Sequence, residues 1–265
     1  MIRWLHISDL HLGSKGMSTE MLRDELPLYL RARGLKCDYV FCTGDIRTAN
    51  MAGNEFTDGM AEYICSLCDA VGVPVERLFI VPGNHDVNIF ASGRTEAIKR
   101  VMFGRSGYYS ADVGRIEADD MAAMMAGEGE FVSFLSKIYP PDRVALYGNP
   151  SAPHFCVETA DFNVLHVDST ISYCPGQDRS DFIVGTGALY DVVRRLNPAK
   201  PTVLLTHYPF FVLLQDERSR VSTMLQKNGV RLWLAGHEHE QVLQKIHYVD
   251  SLQAGELRLE DGAKA

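Results

Sequence analysis

No stretch of this 265-residue chain approaches the roughly 18 to 20 apolar residues that a membrane-spanning helix needs. Met1-Ile2-Arg3-Trp4-Leu5-His6-Ile7 enters a short apolar run directly, without the longer hydrophobic stretch and small-residue cleavage site of a secretory signal. The expectation is a soluble, cytoplasmic protein with no membrane partner. An excess of positive charge is also missing: 26 basic residues stand against 34 acidic ones, a formal charge of −8. That balance fits a strongly basic nucleic-acid module poorly, although bound cations could locally reverse the potential where a phosphate sits. At 46% hydrophobic and 23% charged content the chain is not a disordered one, and its length suits one sizeable core. Cys65-Ser66-Leu67-Cys68 has the spacing of a redox pair or half a zinc site, but no second cysteine pair completes the zinc set. The six cysteines therefore read as free, mostly buried thiols. Fixed-period repeats and low-complexity tracts are absent.

What is present is an alternation of short apolar runs with helically periodic stretches, the pattern of a mixed α/β domain. Strands are expected at 3–7, 39–42, 78–81, 164–167, 203–205 and 231–235, and helices at 18–33, 57–70, 94–103, 119–139 and 187–196. Pro27 should kink or split the first helix. Residues 88–153 lack strong strand signals and read as a mainly helical insertion within a single domain spanning 1–265. Its Met121, Met124 and Met125 fit core filler better than a promiscuous binding surface. Residues 256–265 form a polar tail or mark a point of truncation.

Five of the apolar runs are followed by residues able to hold a divalent metal. They are Asp9-Leu10-His11, Gly44-Asp45, Gly83-Asn84-His85-Asp86, Thr206-His207 and Gly236-His237-Glu238-His239. Strand ends sharing one sheet edge bring such residues together whatever their distance in sequence. Carboxylates offset charge, imidazoles ligate directionally and an amide oxygen is a neutral hard donor. Asp9, His11, Asp45, Asn84, His207, His237 and His239 supply that mixture. Seven donors are too many for one tetrahedral zinc and suit two adjacent ions bridged by a carboxylate, for which Asp45 is the natural choice. Gly44, Gly83 and Gly236 permit the tight bends and close approaches such turns require.

The order D-x-H, G-D, G-N-H-D, H and G-H-x-H, spanning residues 9 to 239, resembles the calcineurin-like metallophosphoesterase superfamily. The resemblance implies a two-sheet sandwich flanked by helices, a four-layer αββα arrangement. It implies one metal held by Asp9, His11, Asp45 and His239 and a second held by Asp45, Asn84, His207 and His237. Mn or Fe is implied, with Zn as an alternative, since the mixed nitrogen and oxygen donors accept several metals. His85 looks like the superfamily's outer-sphere histidine, which contacts phosphate and stabilises or protonates the leaving oxygen. Asp86 orients the loop or His85, or is a plain turn carboxylate. Gly44-Asp45-Ile46-Arg47 departs from the usual continuation. Arg47 there either grips a phosphate oxygen bidentately beside Asn84 and His85 or lies on the surface.

The implied activity is hydrolysis of a phosphodiester or phosphomonoester by a metal-bridging hydroxide, in keeping with the lack of a convincing nucleophilic Ser or Cys motif. Asp45 and His85 are the catalytic candidates. A nucleotide or other small substrate is favoured, a nuclease acting on DNA or RNA is the alternative, and a catalytically inactive binding or scaffold protein is the reading of another class. Oligomeric state is not legible. His6, His154, His166 and His247 read as structural or exposed, and Tyr208, Tyr108 and Tyr109 as core residues before base-stacking ones.

Overall fold

The computed structural model describes residues 2–14, 17–48, 55–103, 114–174 and 181–238. Two sheets are built from the apolar runs. The first is wholly parallel, in the order β1 (Trp4–Ile7), β2 (Tyr39–Cys42), β3 (Leu78–Ile80). The second runs β4 (His154–Glu158), β5 (Asn163–Val167), β6 (Thr202–Leu205), β7 (Val230–Leu234). Its β4–β5 pair is antiparallel and its other pairs are parallel.

Alternation along the strands explains why the sheets stack. Successive side chains point to opposite faces, so Tyr39 and Phe41 of β2 and Phe79 of β3 meet Val164 of β5 and Val203 and Leu205 of β6 in one buried layer. Val40, Cys42, Leu78 and Ile80 take the opposite face and pack against helices α1 (Met17–Ala32), α2 (Asp58–Val71) and α5 (Gly129–Leu135). On the second sheet Leu165, Val167 and Leu204 turn outward to α7 (Thr186–Val193) and α8 (Gln215–Lys227). The result is helix, sheet, sheet, helix, with β2, β3, β5 and β6 buried on both faces, which is why they read as near-continuous apolar runs rather than alternating ones.

Between β3 and β4 the described residues carry only helices: α3 (Arg94–Phe103), α4 (Ala118–Met124), α5 and α6 (Pro141–Val144). Met121, Met124 and Met125 fill a separate small core with Ala97, Ile98 and Val101 of α3 and Ile171 and Ile183. No helix among the described residues is long and apolar enough to cross a membrane.

Several elements differ from the sequence reading. The helix expected at 119–139 is broken into α4, a short 3₁₀ turn at Ala126–Glu128 and α5. Gly127 causes the break: its carbonyl accepts the Asn88 amide at 2.8 Å, and an added Cβ would lie 2.2 Å from the Asn88 oxygen. Helix α1 is not split at Pro27 and runs through it. Strand β4 and helix α8 were not anticipated. The first starts on a histidine, and the second buries only Glu217, Val221 and Leu225, too thin an apolar stripe to stand out. All six cysteines are free thiols, as expected.

The inter-sheet layer depends on Phe41, which is 1% exposed and whose ring lies 5.8 Å from Phe79 and 6.2 Å from Phe162. Phe41→Ala should lower unfolding stability by about 3 to 5 kcal/mol, read from urea denaturation. A loss below about 1 kcal/mol would mean that the layer collapses to refill the space.

Candidate metal centre

Parallel strands that end at a common edge present their following loops there together, and these loops stay tied to one another beyond the strands. After β1 and β2 the ladder continues as Asp9 N to Gly44 O (3.0 Å), His11 N to Asp45 O (3.0 Å) and Leu12 N to Ile46 O (2.7 Å). Asp9, His11 and Asp45 are thereby held side by side. The backbone conformation there is costly. Among the described residues five non-glycine positions have positive φ, and four of them are Asp9 (54°), His11 (45°), Asp45 (53°) and His237 (77°). Each left-handed residue costs on the order of 1 kcal/mol. The turns persist because both flanks are hydrogen-bonded.

The loop after β3 is docked onto the loop after β2 through Asp86, a fully buried carboxylate. Its Oδ1 accepts the amides of Ile46 (2.9 Å) and Arg47 (3.3 Å), and its Oδ2 accepts that of Gly83 (2.9 Å). Burial, with Asp45 nearby, pushes its carboxyl pKa up to about 7. Asp86 is therefore a joint between two ligand-bearing loops, more than a turn residue. Approach is so close that a Cβ on Gly83 would sit 2.1 Å from Asp45 Oδ1, and one on Gly44 would meet the Gly83 backbone at 2.3 Å.

Asp45 lies at the centre, 1% exposed. Its Oδ1 accepts the His85 amide at 2.9 Å, and its Oδ2 is 3.4 Å from His207 Nε2 and 3.7 Å from His85 Nε2. Donor atoms of Asp9, Asp45 and His207 all lie within 4.8 Å of one another, and so do those of His11, Asp45 and His85. Asp45 belongs to both groups. His207 is fully buried and oriented by its own hydrogen bond, Nδ1 to the Thr43 carbonyl at 2.8 Å. A carbonyl only accepts, so Nδ1 carries the proton, and burial lowers the pKa and keeps the ring neutral. Nε2 then presents a lone pair, 3.0 Å from Asn84 Oδ1 and 3.4 Å from Asp45 Oδ2.

Three acceptor atoms, His207 Nε2, Asn84 Oδ1 and Asp45 Oδ2, face one another there. Burial and the neighbouring Asp9 push the Asp45 carboxyl well above its usual range, a condition that a divalent cation would reverse. The donor set fits such an ion: hard oxygens for charge, imidazole nitrogen for direction, and a histidine whose second nitrogen is fixed by a backbone carbonyl. His237 closes the edge from β7. Its amide donates to Asp9 Oδ2 (3.0 Å) and Oδ1 (3.2 Å), and its ring is 5.2 Å from that of His207. A Cβ on Gly236 would meet Asp9 Oδ2 at 2.6 Å, which explains glycine before the histidine.

Of the seven candidate ligands, Asp9, His11, Asp45, Asn84 and His207 thus bring donor atoms together, and His237 is tied to them through its amide. The seventh, His239, lies outside the described residues, as do His247, Tyr108 and Tyr109. His85 sits at the mouth with about a third of its side chain exposed, its ring edge-on to that of His11 at 5.0 Å. Burial, then His11 and His207, lower its pKa to about 4.

Arg47 is neither on the surface nor extended toward the mouth. It is 1% exposed, with Nε on the His85 carbonyl (2.9 Å), Nη2 on the Asp86 carbonyl (3.3 Å) and Nη1 on Glu130 Oε2 (2.8 Å), and the guanidinium covers the Phe56 ring at 4.4 Å. It braces the His85 loop against α5. Tyr208 is buried in the core, stacked on Phe182 at 4.1 Å. His6, with Nε2 on Thr43 Oγ1 at 2.9 Å, and the buried His154 and His166 are structural.

Sequence reasoning missed Ser169, whose buried Oγ accepts the amides of His207 (3.1 Å) and Tyr208 (2.9 Å). Its signal was available: Asp168-Ser169-Thr170 is another polar triplet directly after an apolar strand. The buried charges Arg94, Glu128 and Asp168 behind it carried no signal, since single charged residues on helices and loops normally face water.

A family model described as calcineurin-like phosphoesterase matches residues 2–241. The uncharacterized metallophosphoesterase-like protein YydB of Bacillus subtilis strain 168 is 23% identical over 250 residues, which cover 90% of this chain and 49% of that protein. The chain therefore spans about half the length of the curated relative it matches. The solved structure of phosphopantetheinyl hydrolase from Mycobacterium tuberculosis aligns over 89% of this chain and 83% of its own, with 12% identity and a TM-score of 0.42.

Two substitutions separate bracing from ligation. Gly83→Ala forces a Cβ into Asp45 and should abolish tight binding of at least one manganese ion in calorimetric titration; unchanged binding of both ions would show that the loops can part. Arg47→Ala leaves the His85 and Asp86 carbonyls without their donor and should cost about 1 to 3 kcal/mol of stability in urea denaturation, with both ions still bound.

Proposed function

The chain belongs to the calcineurin-like phosphoesterase family, and on that premise we propose that it is a metal-dependent phosphoric ester hydrolase acting on a nucleotide or another small phosphoester. The observation that carries this reading is the buried Asp45 carboxylate, shared by two donor groups and facing the bare nitrogen of His207 and the amide oxygen of Asn84. Asp9, His11, Asp45 and His239 would hold one divalent ion, and Asp45, Asn84, His207 and His237 the other. Such ions would supply Lewis acidity toward the phosphoryl oxygens and make water more acidic near neutral pH.

The chain's own groups do the rest. Asp45 keeps the two donor groups at a fixed separation, since its Oδ1 is already tied to the His85 amide. Asn84 faces phosphate with a neutral amide. His85 is the accessible imidazole at the mouth. In the free protein it is neutral, and an anionic ester seated beside it favours the protonated form that donates to the leaving oxygen. Arg47 holds the His85 carbonyl from behind and so sets where that ring stands.

A small substrate is supported by the net charge of −8, which disfavours long polyanions away from the metals. Six free thiols support action in the cytoplasm. Nitrogen and oxygen ligation supports manganese or iron, with zinc also able to bind.

The test is hydrolysis of an aryl phosphodiester and an aryl phosphomonoester with added manganese. Wild type should turn over at least one of them, and Asp45→Ala should lose both turnover and the two-ion stoichiometry. Inertness of wild type with two ions bound would favour a binding or scaffold role. His85→Ala should lower turnover by about 10²- to 10⁴-fold with an alkoxide leaving group and far less with nitrophenolate, which departs without a proton. Equal losses for the two leaving groups would remove His85 from proton donation.

A further inference from the structure

We infer that Ser169 is a positioning residue for His207, fixing the imidazole that the second ion would use. This rests on the metal-centre reading above and goes beyond its ligands. His207 is constrained at every polar atom but one: its amide by Ser169 Oγ (3.1 Å), its carbonyl by Gly236 N (2.9 Å) and its Nδ1 by the Thr43 carbonyl (2.8 Å), leaving Nε2 toward Asn84 and Asp45. Ser169 Oγ also accepts the next amide, Tyr208 N, at 2.9 Å. One hydroxyl oxygen with two lone pairs therefore satisfies both amides of the turn that leaves β6.

Water does not take that part. Ser169, His207 and Tyr208 are all fully buried, so water does not reach these amides. Ser169 is itself held by its neighbours. Asp168 Oδ1 accepts both the amide (2.8 Å) and the hydroxyl (2.7 Å) of Thr170, closing a tight loop after β5. From α3, Arg94 Nη2 donates to the carbonyls of Thr170 (2.8 Å) and Tyr173 (3.2 Å). The hydroxyl thus has a fixed address set by the second sheet and by the helical segment between β3 and β4. Beside it, Trp233 Nε1 donates to Thr206 Oγ1 and Thr206 Oγ1 to the Tyr208 carbonyl, both at 2.7 Å, which pins the far side of the same turn. An outer partner of a metal-ligating histidine usually controls about 10- to 100-fold in metal affinity. Here that control is exerted through the ligand's backbone.

The experiment is calorimetric manganese titration of the apo full chain, alongside the electron paramagnetic resonance signal of the coupled manganese pair. Wild type should bind two ions. Ser169→Ala should weaken one of them by about 10- to 100-fold, leave the other within about twofold, and replace the coupled signal with that of an isolated ion at subsaturating metal. Ser169→Thr, which keeps the hydroxyl, should restore two-ion binding, whereas Ser169→Val, of the same shape without it, should not. If the alanine variant does not fold, Ser169→Cys supplies a weak acceptor of similar size: intermediate affinity supports the inference and wild-type affinity overturns it. Equal behaviour of the Thr and Val variants, or two tight ions in Ser169→Ala, also overturns it. Failure of wild type to bind any metal would instead defeat the metal-centre reading itself.

Discussion

A buried carboxylate needs positive charge, and the site is organised around meeting that need at Asp45. The residue lies at the end of the central strand of the first sheet, almost without solvent, with Asp9 on one side and the lone pair of His207 on the other. Left alone, such a group takes up a proton, as burial and Asp9 dictate. A divalent ion supplies the charge more effectively, because the surrounding atoms are acceptors already aimed inward. The same unfavourable electrostatics that disfavour this cluster of acceptors would therefore give it affinity for cations.

How much of this is legible in the sequence depends on where a residue's partners lie. The strand runs and the donor-rich segments after them are readable because both are local patterns: an apolar run, then candidate metal donors at fixed spacing. Helix α8 and strand β4 were not readable, since the one has a narrow apolar stripe and the other opens on a buried histidine, His154. The break at Gly127 depends on Asn88, almost forty residues away, and no local pattern reveals it. Arg47 shows the same limit within the site. Its charge and position suggest phosphate, yet the carbonyls of His85 and Asp86 and the carboxylate of Glu130 converge on it from two other segments.

The groups that brace the site share a property. Asp86, Ser169 and Arg47 all act on backbone amides or carbonyls of the turns that carry the candidate ligands, whereas Thr43 holds the His207 ring through its own carbonyl. Motif reading detects donors by their chemistry. A residue that holds a peptide group can be any acceptor or donor with the right reach, so its type carries little information.

That division also accounts for how the strained turns survive. Asp9, His11, Asp45 and His237 occupy left-handed conformations that together disfavour the native state by several kcal/mol, at roughly 1 kcal/mol each. Metal binding could offset this only in the loaded protein, whereas the turns are already formed through hydrogen bonds among the loops themselves: Asp9 to Gly44, His11 to Asp45, His237 to Asp9, and Asp86 to three amides. The donors are then preorganised, and binding an ion requires little rearrangement of the chain. A reactive centre needs its groups held within about half an ångström, and side chains on free loops do not achieve that. Here the accuracy comes from interlocked backbone at one edge of two stacked sheets, so the substitutions most damaging to the centre include ones that never touch an ion.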